Sequence, residues 1–528
     1  MDEKIKRINK ESIRNKYTKY NLDTHTFINQ ASNEMRGGVP LMYDGKNLIV
    51  DSTDTHTLVY GSTGSLKTRT VVMPTIKVLC YAGESMVIHD SKAELYARLA
   101  NELKHNGYKL VVIDLRNPER GNAWNPLAIP YQFYLHNNID KAAEFVNDIA
   151  TNLIASDISN KEPFWDYAAA NAFYGLVMLL FRYCREHDLP ADAVNISNLL
   201  TLRHKLFEDE ETLNKRLWDY ACEDKLVAAS LSSAATPAKS TRGGILAVLD
   251  QKLRLVALQA NLLNMMSNND FDIGSIGKEK TAVFLITPDE KTSYHKLVSL
   301  FVKQSYEYII YTAMKNRGGK VTRRINYVLD EFSSLPAIPD MSAMISAARS
   351  RDIRFLLVAQ SKHQLIQRYG EDEAQTIIAN ATNMIFLTSR ELPLLKDISE
   401  LCGESTNHSP KVSVYELQHF SKEKCEALVL CGRLEPALVN LLDIDSFGET
   451  TYKVLPIKEG VRTEIIDISF ADVTERELDD EIDLPEDDDE MLSSINSIKD
   501  LSAFDLSIPD NLPANNAVVS NNSESIEE

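Results

Sequence analysis

The chain predicts an α/β fold built on a parallel, doubly wound sheet. Three observations point there: short apolar runs rich in β-branched residues, longer stretches of helical period between most of them, and a phosphate-loop-like octapeptide directly behind the first run.

The apolar runs fall at 57–60, 85–89, 110–115, 282–287, 325–330, 355–360, 384–388 and 427–431. Each is short enough for a strand and is followed by turn-type or polar residues. In such a sheet, ligands gather at the carboxyl ends of strands. Gly61, Asp90, Asp330 and Gln360 all end runs, so they are expected to share one edge.

The octapeptide GSTGSLKT comprises Gly61, Ser62, Thr63, Gly64, Ser65, Leu66, Lys67 and Thr68. A phosphate loop has Gly-x4-Gly-Lys-Ser/Thr between a strand and a helix, so that successive backbone N–H groups face phosphate oxygens. Here Lys67 and Thr68 sit at the required offset, but Leu66 stands where the second glycine belongs. Glycine is favoured at that point because the backbone must bend tightly without a Cβ in the way. The run YVLDEF at 327–332 supplies the second half of the pattern, an apolar strand ending in the carboxylates Asp330 and Glu331. Together the two read as a nucleotide site with an acidic metal-and-water strand.

Net charge is −19, yet residues 471–528 hold 18 Asp and Glu against Arg476 and Lys499. The rest of the chain is therefore close to neutral, and acidity of the whole argues nothing against nucleic-acid binding. Six scattered cysteines without a C-x-x-C pair fit reduced, structural thiols rather than a zinc site or disulfide framework. The first twenty residues lack the apolar core of a signal peptide. The most apolar stretch, 168–181, is 14 residues long against the roughly 20 that cross a bilayer, and reads as a buried helix.

Strand–helix alternation stops over 163–226, where three consecutive helical segments predict an inserted all-helical domain. The domains expected are a basic N-terminal arm (1–37), the two parts of a nucleotide-binding domain (38–162 and 227–470) around that insertion, and an acidic tail (471–528). The tail, poor in aromatics and rich in Asp, Glu, Ser and Asn, is expected to be disordered and to dock a partner through interspersed apolar residues such as Leu492, Ile495 and Phe504.

Several blocks, in order, resemble the conjugative coupling proteins of type IV secretion, the TraG-type ATPases: YGSTGSLKTRTVVMPT, MVIHDSKAELY, the NPL at 125–127, PFWDYAAAN, STRGGIL, the block at 327–365 and TIIANATNMIFLTS. The resemblance spans roughly 57–432. It implies a RecA-like P-loop NTPase with a mostly parallel sheet and a membrane-distal all-helical domain, assembled as a hexameric ring at the cytoplasmic face of the membrane. It also implies ATP and Mg2+ as cofactors. The expected work is recruitment of relaxase-bound single-stranded DNA and its delivery to the secretion channel. Members commonly begin with transmembrane helices; with none read in this chain, membrane contact is expected through partners or the N-terminal arm.

On this reading Lys67 neutralises the β- and γ-phosphates, and Thr68 and Asp330 serve the metal. Glu331 polarises the attacking water. Arg349 lies where the family's arginine finger does and would complete a neighbouring subunit's site, with Arg351 and Arg354 close by. Gln360 would sense γ-phosphate or water, and Asp90, Lys92 and Glu94 match the family's Asp-x-Lys-x-Glu block. Lys239 and Arg242 are candidates for channel contact. Each has a plainer role: a surface turn for Lys67, helix capping for Asp330, Gln360 and Asp90, a solvated helix face for Arg349. The basic stretch at 315–324 reads as a solvated loop on the edge away from the nucleotide. The competing functions are a weakly hydrolysing or non-hydrolysing adaptor, because of Leu66, and a DNA translocase of chromosome segregation or repair.

Overall fold

A computed structural model describes residues 10–28, 35–155, 162–208, 213–405, 408–448 and 452–474. The described residues belong to one compact unit. Residues 475–528, which hold nearly all of the acidic tail and its expected docking segment, lie outside the described part.

The strands in chain order are β1 (Thr18–Asn21), β2 (Thr26–Ile28), β3 (Val39–Tyr43), β4 (Asn47–Asp51), β5 (Thr57–Gly61), β6 (Ser85–Asp90), β7 (Lys109–Asp114), β8 (Thr281–Ile286), β9 (Ile325–Leu329), β10 (Ile353–Ala359), β11 (Asn383–Thr388), β12 (Glu426–Cys431) and β13 (Ala437–Asn440). Nine form one sheet in the order β13-β12-β11-β5-β10-β9-β6-β8-β7. Pairing is parallel from β11 to β7. It is antiparallel at β11–β12 and β12–β13, which close one edge. All eight apolar runs of the sequence are strands of this sheet. β5 and β10 are buried along their whole length, as strands covered on both faces must be, and this is why they read as unbroken apolar runs.

Residues 10–28 fall in the stretch read as a basic arm; they form the helix Lys10–Lys16 and the β1–β2 hairpin of a second, antiparallel sheet, β2-β1-β4-β3. Ile13 and Tyr20 are completely buried there, and these apolar positions outweigh the surrounding lysines in deciding the local structure.

Between β7 and β8 every α-helix from Ala128–Leu135 to Ala260–Ser267 follows another with no intervening strand, a run wider than 163–226. Its central helix, Pro163–Glu186, is the one described helix long and apolar enough to cross a membrane, and 72% of its apolar window is buried in this fold. A glycine at its middle explains the close packing: a Cβ on Gly175 would stand 2.7 Å from Leu231 Cγ on the helix Lys225–Ala235. Residues 452–470, almost all exposed or half-buried, form no regular helix or strand and lead to this helical region. They are seated by Thr463 Oγ1 on Asn268 Oδ1 (2.6 Å) and by Asn198, which donates to Ile466 O (2.7 Å) and accepts from Ile468 N (3.0 Å).

Candidate nucleotide site

β5 ends at Gly61, and the loop behind it turns through Gly64 (φ +75°) and Leu66 (φ +68°) before the helix begins. Leu66 thus adopts the left-handed backbone that glycine normally supplies, a conformation costing an L-residue about 1–2 kcal/mol. What stabilises the bend is Thr70, which donates both its backbone N–H (2.8 Å) and its hydroxyl (3.0 Å) to the Leu66 carbonyl. Gly61 is required for close approach: a Cβ there would lie 2.4 Å from Ser65 Oγ. The first helical turn, Thr68–Val72, is a widened π-turn in which Met73 N–H reaches Thr68 O. Pro74 has no N–H to give the Thr70 carbonyl, so the regular ladder cannot start there.

β10 lies between β5 and β9 in the sheet, so the loop, the β10 end and the β9 end stand side by side at the carboxyl edge. Thr68 Oγ1 donates to Asp330 Oδ2 at 2.8 Å across 262 residues of sequence. Thr63 Oγ1 donates to Gln360 Oε1 at 3.3 Å. Lys67 Nζ is held by the carbonyls of Gly61 (2.5 Å) and Ser62 (3.0 Å). Burial lowers the Lys67 pKa, an effect opposed by the charges of Asp330 and Glu331.

Asp330 is almost fully buried, and burial, joined by the Glu331 charge, pushes its carboxyl up to about 6 against the opposing Thr68 hydrogen bond and Lys67 charge. Glu331 follows with φ +57°, its N–H donating to Asp330 Oδ1 (3.1 Å). Asp90 is buried and accepts from Tyr96 N–H (2.8 Å) in the first turn of the helix Glu94–His105. Lys92 is exposed.

His89, in the strand block MVIHDSKAELY, joins the site without belonging to any motif of the sequence. The ring is completely buried, with Nδ1 2.6 Å from Asp330 O and Nε2 3.2 Å from Thr287 Oγ1. A carbonyl only accepts, so Nδ1 carries the proton and Nε2 accepts from the threonine. Burial lowers its pKa to about 4 and keeps it neutral. The signal available was a histidine inside an apolar strand just before its terminal carboxylate.

Arg349 is not beside these groups. It precedes β10, at the amino edge of the sheet, and is exposed. The seven residues of β10 span roughly 20 Å, so Arg349 cannot reach the loop of its own chain. The two nearby arginines are otherwise engaged. Arg354 is buried, pairing with Glu84 (2.6 Å) and donating to Gly37 O and Thr53 O (3.1 Å each). Arg351 donates to Gly319 O (3.1 Å). The basic stretch departs from a solvated loop at Arg324, which is buried and ion-paired with Asp54.

No group of three or more His, Cys, Asp or Glu able to hold a metal occurs among the described residues. The hydroxyl of Thr68 and the carboxylate of Asp330 are hard oxygen donors, in the number that fits a cation sharing its other positions with phosphates and water. A cleft of about 210 Å3 opens on the other flank of the loop, lined by Gly64, Leu66, Thr388, Phe420, Lys422 and Glu426 among others.

Residues 4–428 match the sequence family described as Type IV secretory system Conjugative DNA transfer. The chain is 23% identical over 362 residues to the type IV secretion system-coupling protein VirD4 of Bartonella quintana (strain Toulouse), covering 68% of this chain and 54% of that protein. It is 24% identical over 370 residues to the conjugal transfer protein TraG of Escherichia coli, covering 66% and 55%. It spans about half the length of these relatives. Among solved structures, the bacterial conjugative coupling protein TrwBdeltaN70 in an unbound form superposes with a TM-score of 0.57 at 16% identity, over 82% of this chain and 92% of that one. The plasmid coupling protein TrwB in complex with ADP and Mg2+ gives 0.57 at 16%, over 78% and 91%. At this identity the likeness establishes the fold alone, an α/β fold on a mostly parallel sheet shared with those coupling proteins.

Proposed function

The chain belongs to the type IV secretory system conjugative DNA transfer family, and from that premise we propose that it is an ATP-driven coupling protein. It would recruit relaxase-bound single-stranded DNA and deliver it to a secretion channel, working as a ring at the cytoplasmic face of the membrane through contacts with partners. The observation that carries the reading is the Thr68–Asp330 contact, which brings the helix start of the loop and the acidic strand to one point.

In this mechanism the loop amides of 61–68 bind the phosphates, and Lys67 exchanges the carbonyls of Gly61 and Ser62 for β- and γ-phosphate oxygens. Thr68 and Asp330 would hold Mg2+, whose chemistry when bound is to neutralise charge between the β- and γ-phosphates. Glu331, at the left-handed turn behind Asp330, orients and polarises the attacking water. Gln360, tied to the loop through Thr63, reports whether the γ-phosphate is present. Arg349 serves the neighbouring subunit's site.

Glu331→Gln should keep ATP binding and lower turnover roughly 100-fold or more, the share of a positioned general base. Turnover at the wild-type rate would end this reading. The left-handed Leu66 supports a second one, an adaptor that binds nucleotide and hydrolyses it slowly, because a side chain stands at the turn where glycine would let the backbone approach the phosphates freely.

A further inference from the structure

The segment from Glu331 to Arg349 joins the two ends of the proposed machinery, and it lies along one face of the helix His295–Ala313. Four side chains of that helix reach it in order. His295 Nδ1 meets Ser334 O (3.2 Å), Ser299 Oγ donates to Pro336 O (3.3 Å), Lys303 Nζ donates to Asp340 Oδ2 (2.7 Å) and Tyr306 OH donates to Met344 O (2.9 Å). The spacing of four, four and three residues places all four on one stripe of an α-helix.

Every member of the stripe is at most 6% exposed. Buried polar groups are costly unless paired, so four of them on a core helix call for a reason beyond packing. Their partners belong to the strand-free segment after β9: the carbonyls of Ser334 and Pro336, the Asp340 carboxylate and, within the helix Met341–Ala348, the Met344 carbonyl. That stretch is divided by left-handed residues without glycine: Glu331 (φ +57°), Asp340 (φ +56°) and Asp352 (φ +61°). Met341–Ala348 and the turn carrying Arg349 are thus a rigid piece between two sharp bends, and Lys303 grips the first bend. Lys303 is steadied in turn by Glu307 at 2.7 Å.

We propose that this buried stripe, His295, Ser299, Lys303 and Tyr306, is a positioning rail that makes the Glu331 turn and Arg349 move together, so that the nucleotide state of one subunit sets its arginine at the neighbour's site. The proposal rests on the roles given above to Glu331 and Arg349. It adds a physical link between them within one chain, carried by four named contacts.

The test is amide hydrogen exchange on the assembled full chain, with and without a non-hydrolysable ATP analogue and Mg2+. In the wild type, exchange in 61–68 and in 341–351 should slow together, with the same dependence on analogue concentration. In Lys303→Met, and in Tyr306→Phe, which removes only a hydroxyl, the response of 61–68 should persist while that of 341–351 is largely lost. If Lys303→Met does not fold, Tyr306→Phe and Ser299→Ala carry the comparison. Steady-state kinetics give a second readout: Tyr306→Phe should lower kcat roughly fivefold at unchanged KM, the equivalent of one hydrogen bond, and add no loss in an Arg349→Ala background. An undiminished response of 341–351 in the variants overturns the rail, as does a wild type in which only 61–68 responds. A wild type in which 61–68 itself is silent overturns the nucleotide reading and the rail with it.

Discussion

Leu66 shows how a single residue can break a motif's wording and keep its geometry. The position demands φ near +68°, and the Thr70 double contact to its carbonyl holds it there. The cost of the left-handed state is thus already met in the folded chain, and glycine would relieve it while adding entropy to the unfolded chain. Leu66→Gly is therefore expected to shift stability to urea unfolding by less than about 1 kcal/mol, since the two opposing terms nearly cancel, and, with the bend kept, to leave ATP turnover within about fivefold. A tenfold or larger gain would favour the slow-hydrolysing adaptor. Leu66→Val should abolish nucleotide binding, because a β-branched residue tolerates positive φ far less well. Of the residues named from the pattern, the loop, Asp330 and Gln360 needed only sequence to place, because each ends an apolar run. The pairing of His89 with Asp330 and Thr287, and of the rail residues with 334–344, was not legible, since the partners lie far along the chain or on another element.

At the scale of elements, β5 is locked to β10 by a side chain as well as by the sheet ladder. His56, just before β5, accepts Phe355 N–H at Nδ1 (3.0 Å) and so must be neutral. Burial lowers its pKa from 6.5 to about 4. A depressed histidine contributes stability that is fully present above the unfolded value and is lost as pH falls through the folded one. From pH 7 to 5.5 this amounts to about 1 kcal/mol for one group. Urea unfolding of the wild type should weaken by that amount relative to His56→Asn, which keeps an acceptor and does not titrate. Equal pH dependence in the two proteins would show that His56 is not held neutral. The order β5-β10-β9 could not be read from the runs, because strand propensity is local and pairing is not. The same holds for the antiparallel β12–β13 edge and for Arg354 and Arg324, whose burial depends on Glu84 and Asp54 arriving from elsewhere.

For the whole molecule, the consequence of a parallel sheet is that a loop behind β5 and an arginine ahead of β10 lie at opposite edges. Under the proposed function, one chain would then carry half of each of two sites. Glu331→Gln and Arg349→Ala proteins, each nearly inactive alone, should recover activity when co-assembled, because some interfaces then pair an intact Glu331 with an intact Arg349. In an equal mixture that share is roughly a quarter of the interfaces of a closed ring. No recovery would place Arg349 outside the neighbour's site. The sequence by itself determined the eight core strands and the phosphate loop, because strand periodicity and a contiguous turn are encoded within a few residues of each other. Only the tertiary structure decided that Thr68 meets Asp330, that Arg354 is buried while Arg349 faces outward, and that a helix stripe runs between the acidic turn and the arginine. Those outcomes depend on which distant segments become neighbours, and long-range pairing is fixed by the packing of the whole core rather than by any local pattern.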